Sequence, residues 1–197
     1  KDFIEDCIRS IQKITERIVV VDSFSEDNTV ELAKNMGAEV YQHEFFNYSK
    51  QYKYAVEIAN VKTKWILRID ADERLTSESE VELEQLCNDN ENTNVTGIVL
   101  RFYNMFLFKS MYHGGMYPWK KLSVYKTGIG DIEDRNMDEH IILSSGTVIE
   151  TKKDSKHLAY RGLTFFTNKS NWYSTREAMD YFEQKKVSKK NANFKTR

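Results

Sequence analysis

Residues 18–22 read IVVVD, an unbroken β-branched run that ends in the carboxylate of Asp22. A run without a polar face predicts an interior strand of a parallel sheet. Apolar residues recur at three- and four-residue steps over residues 2–14, which predicts a helix before this strand. The polar cluster at residues 25–29 predicts the start of a second helix, and Gly37 predicts its end.

The same strand and helix unit repeats along the first half of the chain. Residues 38–42 and 64–69 have the composition of strands, and residues 49–59 between them have the apolar spacing of a helix. Three strands that alternate with three helices imply right-handed crossovers and a parallel sheet. The sequence therefore predicts an α/β fold with a Rossmann-like, mostly parallel sheet flanked by helices.

In the second half of the chain, the predicted helices and strands no longer alternate regularly. A helix is predicted over residues 78–87, strands over 96–103 and 122–126, and an amphipathic helix over 170–183. We expect mixed strands here, and we expect aromatic side chains of the last helix, such as Trp172 and Phe182, to pack on the domain. The alternative is that this helix and the basic tail at 185–197 make a peripheral contact with an anionic membrane surface.

Length and charge exclude several classes of protein. The 197 residues suit one domain, and 29 Lys and Arg residues nearly balance 30 Asp and Glu residues, so no net field attracts nucleic acid. No apolar run is long enough to span a bilayer. Cys7 and Cys87 lie in apolar-periodic helical patterns and are interpreted as reduced core residues, which fits the cytoplasm.

Carboxylates follow the predicted strands. Ligands of an open parallel sheet bind beyond the carboxyl ends of its strands, where Asp22, Asp70 and Asp72 fall. Alternate residues of a strand point the same way, so Asp70 and Asp72 can present oxygens to one divalent ion that also holds a diphosphate. For Asp22 alone, a role in capping a turn is an equal alternative.

Three motifs in order and spacing carry a family resemblance. Residues 18–29 (IVVVDSFSEDNT), Gly37 with the alanine after it, and residues 65–73 (WILRIDADE) together resemble the family 2 glycosyltransferases of the GT-A fold. The resemblance implies an inverting transfer of a sugar from a nucleoside-diphosphate sugar, with UDP as the commonest nucleotide, to an acceptor hydroxyl.

The resemblance also implies roles for individual residues. Asp22 would contact the base or ribose, with Ser23 in the same pocket. Asp70 would bind the nucleotide and, with Asp72, a divalent metal such as Mn²⁺ or Mg²⁺. Lys53 is the basic residue of the preceding helix chosen to face the nucleotide, in preference to its neighbours Lys50 and Gln51; a solvated helix face is the alternative.

A general base is needed because an acceptor hydroxyl is a poor nucleophile until a positioned carboxylate takes its proton. Asp138 and Glu139, followed by His140, resemble the family's downstream acidic site, and Glu139 is favoured over Asp138. The alternative is an exposed acidic turn. His157 is a further candidate metal ligand, although a lone histidine is more often a surface or core residue.

The loop at residues 112–119 joins a glycine pair to aromatic residues and the single proline. This composition suits contact with a sugar ring, and an aromatic core corner is the alternative.

The resemblance implies one glycosyltransferase domain over residues 1–197, with a nucleotide-sugar-binding half at 1–95 and an acceptor-binding half at 96–197. The family's first strand, which precedes the helix at 2–14, is absent from this sequence, so either the chain is cut or part of the pocket is missing. The expected acceptor is a bacterial surface glycan, such as lipopolysaccharide core or capsule, or a lipid-linked saccharide. The expected location is the cytoplasm, including the inner face of the cell membrane.

Two alternatives to a transferase remain open at this point. Asp70 and Asp72 also resemble the nucleophile motif of haloacid-dehalogenase-type phosphatases, but Arg74 stands where that motif has Thr, and two strand and helix units precede the motif. The other alternative is a non-catalytic module that binds the nucleotide sugar.

Overall fold

The computed structural model describes residues 3–107, 109–115, 117–134, 139–158 and 162–194, with side chains described up to residue 182 except at 180. The helices are α1 (Ile4–Ile11), α2 (Thr29–Asn35), α3 (Tyr48–Ala59), α4 (Ser77–Asp89) and α5 (Leu163–Phe194). The strands are β1 (Val19–Asp22), β2 (Glu39–Gln42), β3 (Trp65–Leu67), β4 (Glu73–Arg74), β5 (Val95–Phe106), β6 (Lys109–Met111), β7 (Trp119–Lys126), β8 (Gly130–Ile132), β9 (Ile141–Leu143) and β10 (Thr147–His157).

The described strands form three hydrogen-bonded sheets. β1 and β2 pair in parallel, and β8 and β9 pair antiparallel. The largest sheet has the order β3-β7-β5-β10-β4, with β6 on the end of β5. Within it, β5 and β10 are parallel and the other ladders are antiparallel. The predicted α/β class, with helices flanking the strands, is confirmed, but the expected mostly parallel sheet is wrong, because only two of the seven ladders between described strands are parallel.

The structure corrects the predicted neighbours of the third strand. We expected β3 to continue the parallel sheet of β1 and β2, but its ladder is antiparallel to β7, with Ile66 opposite Tyr125. β1 is also only half-buried over Val19, Val20 and Val21. The apolar pattern of a segment predicts that it is a strand but not which strand it pairs with, and the partner of β3 lies in the second half of the chain.

Local signals mark one boundary of each of the helices α2, α3 and α4. α2 ends before Gly37, whose φ of 83° is readily adopted only without a side chain. α3 begins after Asn47, whose side chain accepts a hydrogen bond from the Lys50 backbone N–H. α4 begins with a capping box between Thr76 and Ser79.

The main core lies between the large sheet and helices α1 and α4. Ile98, Leu100 and Phe102 alternate along β5, and all three are fully buried. Ile11 from α1 and Leu83 from α4 pack into the same cluster. Burying each such side chain contributes about 1.5–3 kcal/mol, so this cluster stabilises the large sheet, whose strands β3 and β4 flank the acidic turn.

β10 was not predicted, because its buried positions are polar. Thr151 and Ser155 are 2% and 0% exposed, whereas its lysines face solvent or lie half-buried. A strand whose buried side consists of small hydroxyl residues has no apolar alternation for a sequence pattern to detect.

α5 is longer and more exposed than predicted. It covers 32 residues, and the Trp172, Met179 and Phe182 side chains are 43%, 60% and 61% exposed, so the expected packing of these residues on the domain is wrong. Tyr173 is half-buried. Within the described residues, no helix combines the length and apolar character that a membrane crossing would require.

Candidate active site

The acidic turn after β3 is held in place by β10. Asp70, Ala71 and Asp72 connect β3 to the short strand β4, which pairs antiparallel with β10 so that Glu73 lies opposite His157. The Leu158 backbone N–H donates to the Asp72 carbonyl at 2.7 Å. This pairing brings His157, which is distant in sequence, to the side of Asp72.

Asp72 and His157 face each other across a short gap. His157 Nε2 lies 3.7 Å from Asp72 Oδ2, and His157 Nδ1 lies 2.7 Å from Asn104 Oδ1. The Asn104 amide oxygen accepts a hydrogen bond from Nδ1–H, and in the neutral imidazole this leaves the Nε2 lone pair on the side of Asp72. Burial lowers the pKa of His157, although the Asp72 carboxylate opposes this effect.

Asp70 has a lysine partner from β7. Lys121 Nζ lies 2.8 Å from Asp70 Oδ2 and 2.8 Å from Glu73 Oε1. Burial would raise the pKa of Asp70, but the Lys121 ammonium and the Arg68 guanidinium outweigh it and hold this pKa below its usual value. Glu73 is fully buried, and burial raises its pKa despite the same ammonium. Glu73, which the sequence left open between structure and function, is therefore a buried partner of Lys121.

Glu139 is held by Arg68 at the end of β3. Arg68 Nη2 donates to Glu139 Oε1 at 2.7 Å, and the two side chains are 12% and 7% exposed. The Glu139 side chain is therefore buried, and the alternative of an exposed acidic turn does not describe it. Asp138, the other predicted base, lies outside the described residues.

Tyr173 of α5 lines a cavity together with Asp72 and is affected electrostatically by nearby carboxylates. Burial raises the pKa of Tyr173, a hydrogen bond with Tyr48 opposes this, and Asp72, Asp70 and Glu139 all raise it further. The contact that brings the candidate base to the acidic turn is the one from Arg68, two residues before Asp70, to Glu139. A cavity of about 370 Å³ lies between α5 and Asp72.

The residues after β1 form a second polar group. Asp22 is 6% exposed, and its Oδ2 accepts from the Ser25 backbone N–H at 2.9 Å and from Gln42 Nε2 at 3.3 Å. Burial would raise the pKa of Asp22, but these hydrogen bonds hold it below its usual value. The carboxylate is thus ionised and firmly oriented at the end of the strand.

Helix α3 contacts this group through Gln51. Gln51 Nε2 donates to Ser23 Oγ at 3.0 Å, and Gln51 Oε1 lies 2.8 Å from His43 Nδ1. Lys53, two residues further and roughly 200° around the helix, is on the exposed face of α3. A nucleotide-facing role of Lys53 stays a prediction, and Gln51 is the residue of this helix that the structure joins to Ser23.

The aromatic loop reaches the site through Trp119. The Trp119 ring centroid is 4.8 Å from that of His157, and Trp119 is the first residue of β7. The Tyr117 hydroxyl donates to Asp154 Oδ2 at 2.7 Å, which ties the loop to β10. Residue 116 of this loop lies outside the described residues.

Sequence reasoning missed Lys121 and Arg68 as site residues. The β3 and β7 ladder places Leu67 opposite Val124, and continuing the same register places Asp70 opposite Lys121. Only the register of the two strands could have revealed this pairing, because a lysine in a strand is ordinarily a solvent-facing residue.

The α/β architecture, with an acidic turn after β3, defines a transferase domain of the GT-A type. Residues 1–141 match the model of glycosyl transferase family 2, and the chain belongs to this family. The predicted family is therefore confirmed, and this assignment favours a transferase over the phosphatase alternative.

Similar proteins carry names of the same class. An uncharacterized glycosyltransferase of Rickettsia prowazekii (strain Madrid E) is 26% identical over 95% of this chain, and one of Rickettsia typhi is 27% identical over 95%. The chain spans 65% of the length of each of these curated relatives. An uncharacterized glycosyltransferase of Rickettsia bellii is 41% identical over 42% of this chain and 28% of its own length.

Proposed function

We propose that this domain transfers a sugar, with inversion, from a nucleoside-diphosphate sugar to an acceptor hydroxyl. The observation that carries the proposal is the ion pair of Arg68 with Glu139 at 2.7 Å, which holds this carboxylate beside the strand end that leads into Asp70 and Asp72, within a family 2 domain. The carboxylates of the acidic turn can hold a divalent ion that binds the diphosphate, and a separate carboxylate can act as the general base. UDP is the first nucleotide to test.

On the donor side, Asp22 is the proposed partner of the base or ribose. Its carboxylate is ionised and fixed by Ser25 and Gln42, so it can accept from a ligand N–H or O–H without first reorganising. Ser23 and Gln51 offer neighbouring polar groups for the same part of the nucleotide.

Asp72 and His157 fit a divalent ion. Their facing Oδ2 and Nε2 atoms are 3.7 Å apart, and both atoms can bind a cation when the imidazole is neutral with its proton on Nδ1. The described residues contain no group of three or more candidate ligands, but Mg²⁺ and Mn²⁺ sites are often completed by substrate phosphates. A bound ion would neutralise charge on the leaving diphosphate. Asp70, also predicted as a ligand, is held by Lys121.

Glu139 is the proposed general base. As the acceptor oxygen forms its bond to the anomeric carbon, Glu139 takes the hydroxyl proton, and the bond between that carbon and the diphosphate oxygen breaks with its electron pair leaving on the nucleotide. The Arg68 contact to Oε1 fixes the orientation of the carboxylate. Asp138 is kept as the alternative base.

The proposed acceptor is a sugar of a bacterial surface glycan, such as lipopolysaccharide or another polysaccharide, or of a lipid-linked saccharide. The support is the resemblance together with Trp119, which is 36% exposed beside His157 and offers a face for a sugar ring. We propose a cytoplasmic location with peripheral contact to the membrane through α5, whose exposed aromatic residues precede a lysine-rich tail.

The test has a binding arm and a turnover arm. UDP, GDP, dTDP and CDP are titrated into the protein by calorimetry with Mn²⁺ and with EDTA, using wild type and Asp72→Ala. Turnover is then followed as nucleotide release from the matching sugar nucleotides, with Glu139→Gln and with Glu150→Gln as a control carboxylate on β10. The anomeric configuration of the product is read by NMR.

The proposal expects Mn²⁺ to strengthen nucleotide binding, and expects Asp72→Ala to remove that gain. Glu139→Gln should keep nucleotide binding and lower turnover by roughly 100-fold or more, whereas Glu150→Gln should leave turnover unchanged. Binding without turnover in wild type would favour the non-catalytic module. If none of the four nucleotides binds, the donor assignment is wrong.

A further inference from the structure

Lys121 is a cation within the acidic site that the proposed function has not yet used. Its side chain is 14% exposed, and its ammonium lies between the fully buried Glu73 and the Asp70 carboxylate, which is 51% exposed. If Lys121 served only to neutralise the buried Glu73, it would not have to contact Asp70 on the accessible side of the turn. Lys121 contacts both.

The register of the sheet explains why Lys121 is there. β7 runs antiparallel to β3, and beyond the ladder the Arg68 backbone N–H donates to the Ser123 carbonyl at 2.7 Å. Continuing this register two residues forward from Arg68 and two residues back from Ser123 places Asp70 opposite Lys121. The contact is therefore set by backbone pairing, which fixes the position of the ammonium more firmly than a surface lysine would be fixed.

Lys121 is linked to the proposed metal pair through the ring of Trp119. Lys121 Nζ is 6.0 Å from the centroid of the Trp119 ring, and that ring is 4.8 Å from the ring of His157, which faces Asp72. An ion held by Asp72 and His157 would take phosphate oxygens as further ligands. Trp119 therefore lies between the ammonium and the residues that would hold the ion.

A lysine ammonium has three hydrogens to donate. Asp70 and Glu73 each accept one. We propose that the third is donated to the diphosphate of the nucleotide donor, so that Lys121 is the protein's own phosphate-binding cation and acts together with the divalent ion. This inference rests on the proposed function, because it assigns the recognition of one part of the proposed donor.

The test separates phosphate recognition from folding. The variant is Lys121→Met combined with Glu73→Gln, which removes the ammonium without leaving a buried carboxylate unpaired. Lys120→Met is the matched control, because Lys120 is the neighbouring lysine of β7 but is 49% exposed and pairs with Glu150 at 2.8 Å. Each protein is titrated with the tightest binder among UDP, GDP, dTDP and CDP, and with the corresponding nucleoside by NMR.

The proposal expects the double variant to bind the nucleoside diphosphate roughly tenfold or more weakly than wild type, both in Mn²⁺ and in EDTA, since a hydrogen bond to a charged group is lost. Nucleoside affinity should be unchanged, and Lys120→Met should match wild type for both ligands. A second variant, Lys121→Arg, keeps a cation and should retain more diphosphate affinity than the double variant.

Two results would overturn the inference while leaving the proposed function intact. One is a folded double variant that binds the diphosphate as wild type does. The other is an equal loss of diphosphate and nucleoside affinity, which would assign Lys121 a structural role as the partner of Glu73. If wild type binds none of the four nucleotides, the donor assignment and this inference fail together.

Discussion

The ion pair between Arg68 and Glu139 gives a sharp prediction about stability. Both side chains are almost out of solvent, at 12% and 7% exposure, and the nitrogen and oxygen are 2.7 Å apart. Removing one partner of a buried pair leaves the other charge unpaired and costs about 3–5 kcal/mol. Because a domain of this kind is stable by only about 5–15 kcal/mol, Arg68→Met should remove a large share of the free energy of unfolding.

The measurement is urea unfolding followed by the fluorescence of the native tryptophans. With a slope of about 2 kcal/mol per molar urea, the loss corresponds to a midpoint lower by on the order of 2 M. The exposed pair between Lys120 and Glu150, at 49% and 37% exposure, is the control, and Lys120→Met should cost less than about 1 kcal/mol.

A double-mutant cycle isolates the pair itself. Glu139→Met alone should also destabilise, but Arg68→Met combined with Glu139→Met should recover much of the loss, because two apolar side chains replace a desolvated pair. If the two single losses simply add, or if Arg68→Met costs no more than Lys120→Met, the claim that Arg68 holds Glu139 in a buried pair is refuted.

Three further predictions concern the body of the domain. Burial raises the pKa of Cys7 to about 12, so little thiolate exists at pH 8 and this thiol should react with a disulfide reagent only after unfolding; fast labelling in the native state would contradict this. Gly146→Ala should destabilise by about 2 kcal/mol or more in thermal unfolding, because φ is 91° and the added Cβ would lie 2.3 Å from the Thr96 side chain. Gly128→Ala is the control, since its φ of 81° is similar but the space around it is open, and it should cost only about 1 kcal/mol. Equal losses would rule out the clash. Leu100→Ala should lower the free energy of unfolding by about 2–5 kcal/mol in urea, since Leu100 is fully buried in the main core, and a loss below about 1 kcal/mol would mean that this core is not packed as described.

The sequence predicted the parts of the fold that local patterns encode. The end of α2 at Gly37 was predicted, and the helix predicted over residues 49–59 differs from α3 (Tyr48–Ala59) by one residue, because such boundaries depend on residues a few positions apart. The partner of β3 was predicted wrongly, because strand pairing is decided by the whole sheet. β10 was missed because its fully buried side chains, Thr151 and Ser155, are polar.

The same distinction applies to the candidate site. Asp70 and Asp72 were predicted because they are adjacent in sequence and belong to a recognisable motif. His157 could be named only as a lone histidine, since its position beside Asp72 depends on the pairing of β4 with β10. Lys121 and Arg68 carried no local signal at all, because their importance lies in which carboxylate each one contacts.

The acidic turn depends on residues that the ribosome adds much later. Lys121 follows Asp70 by 51 residues, and Glu139 follows Arg68 by 71 residues. The β10 segment that anchors the Asp72 carbonyl is synthesised later still. During translation, Asp70 is therefore made well before its lysine partner, and of Lys121 and Arg68 only Arg68 is already present as a nearby cation. Assembly of the site must wait for long-range closure, which makes it a late event in the folding of this domain.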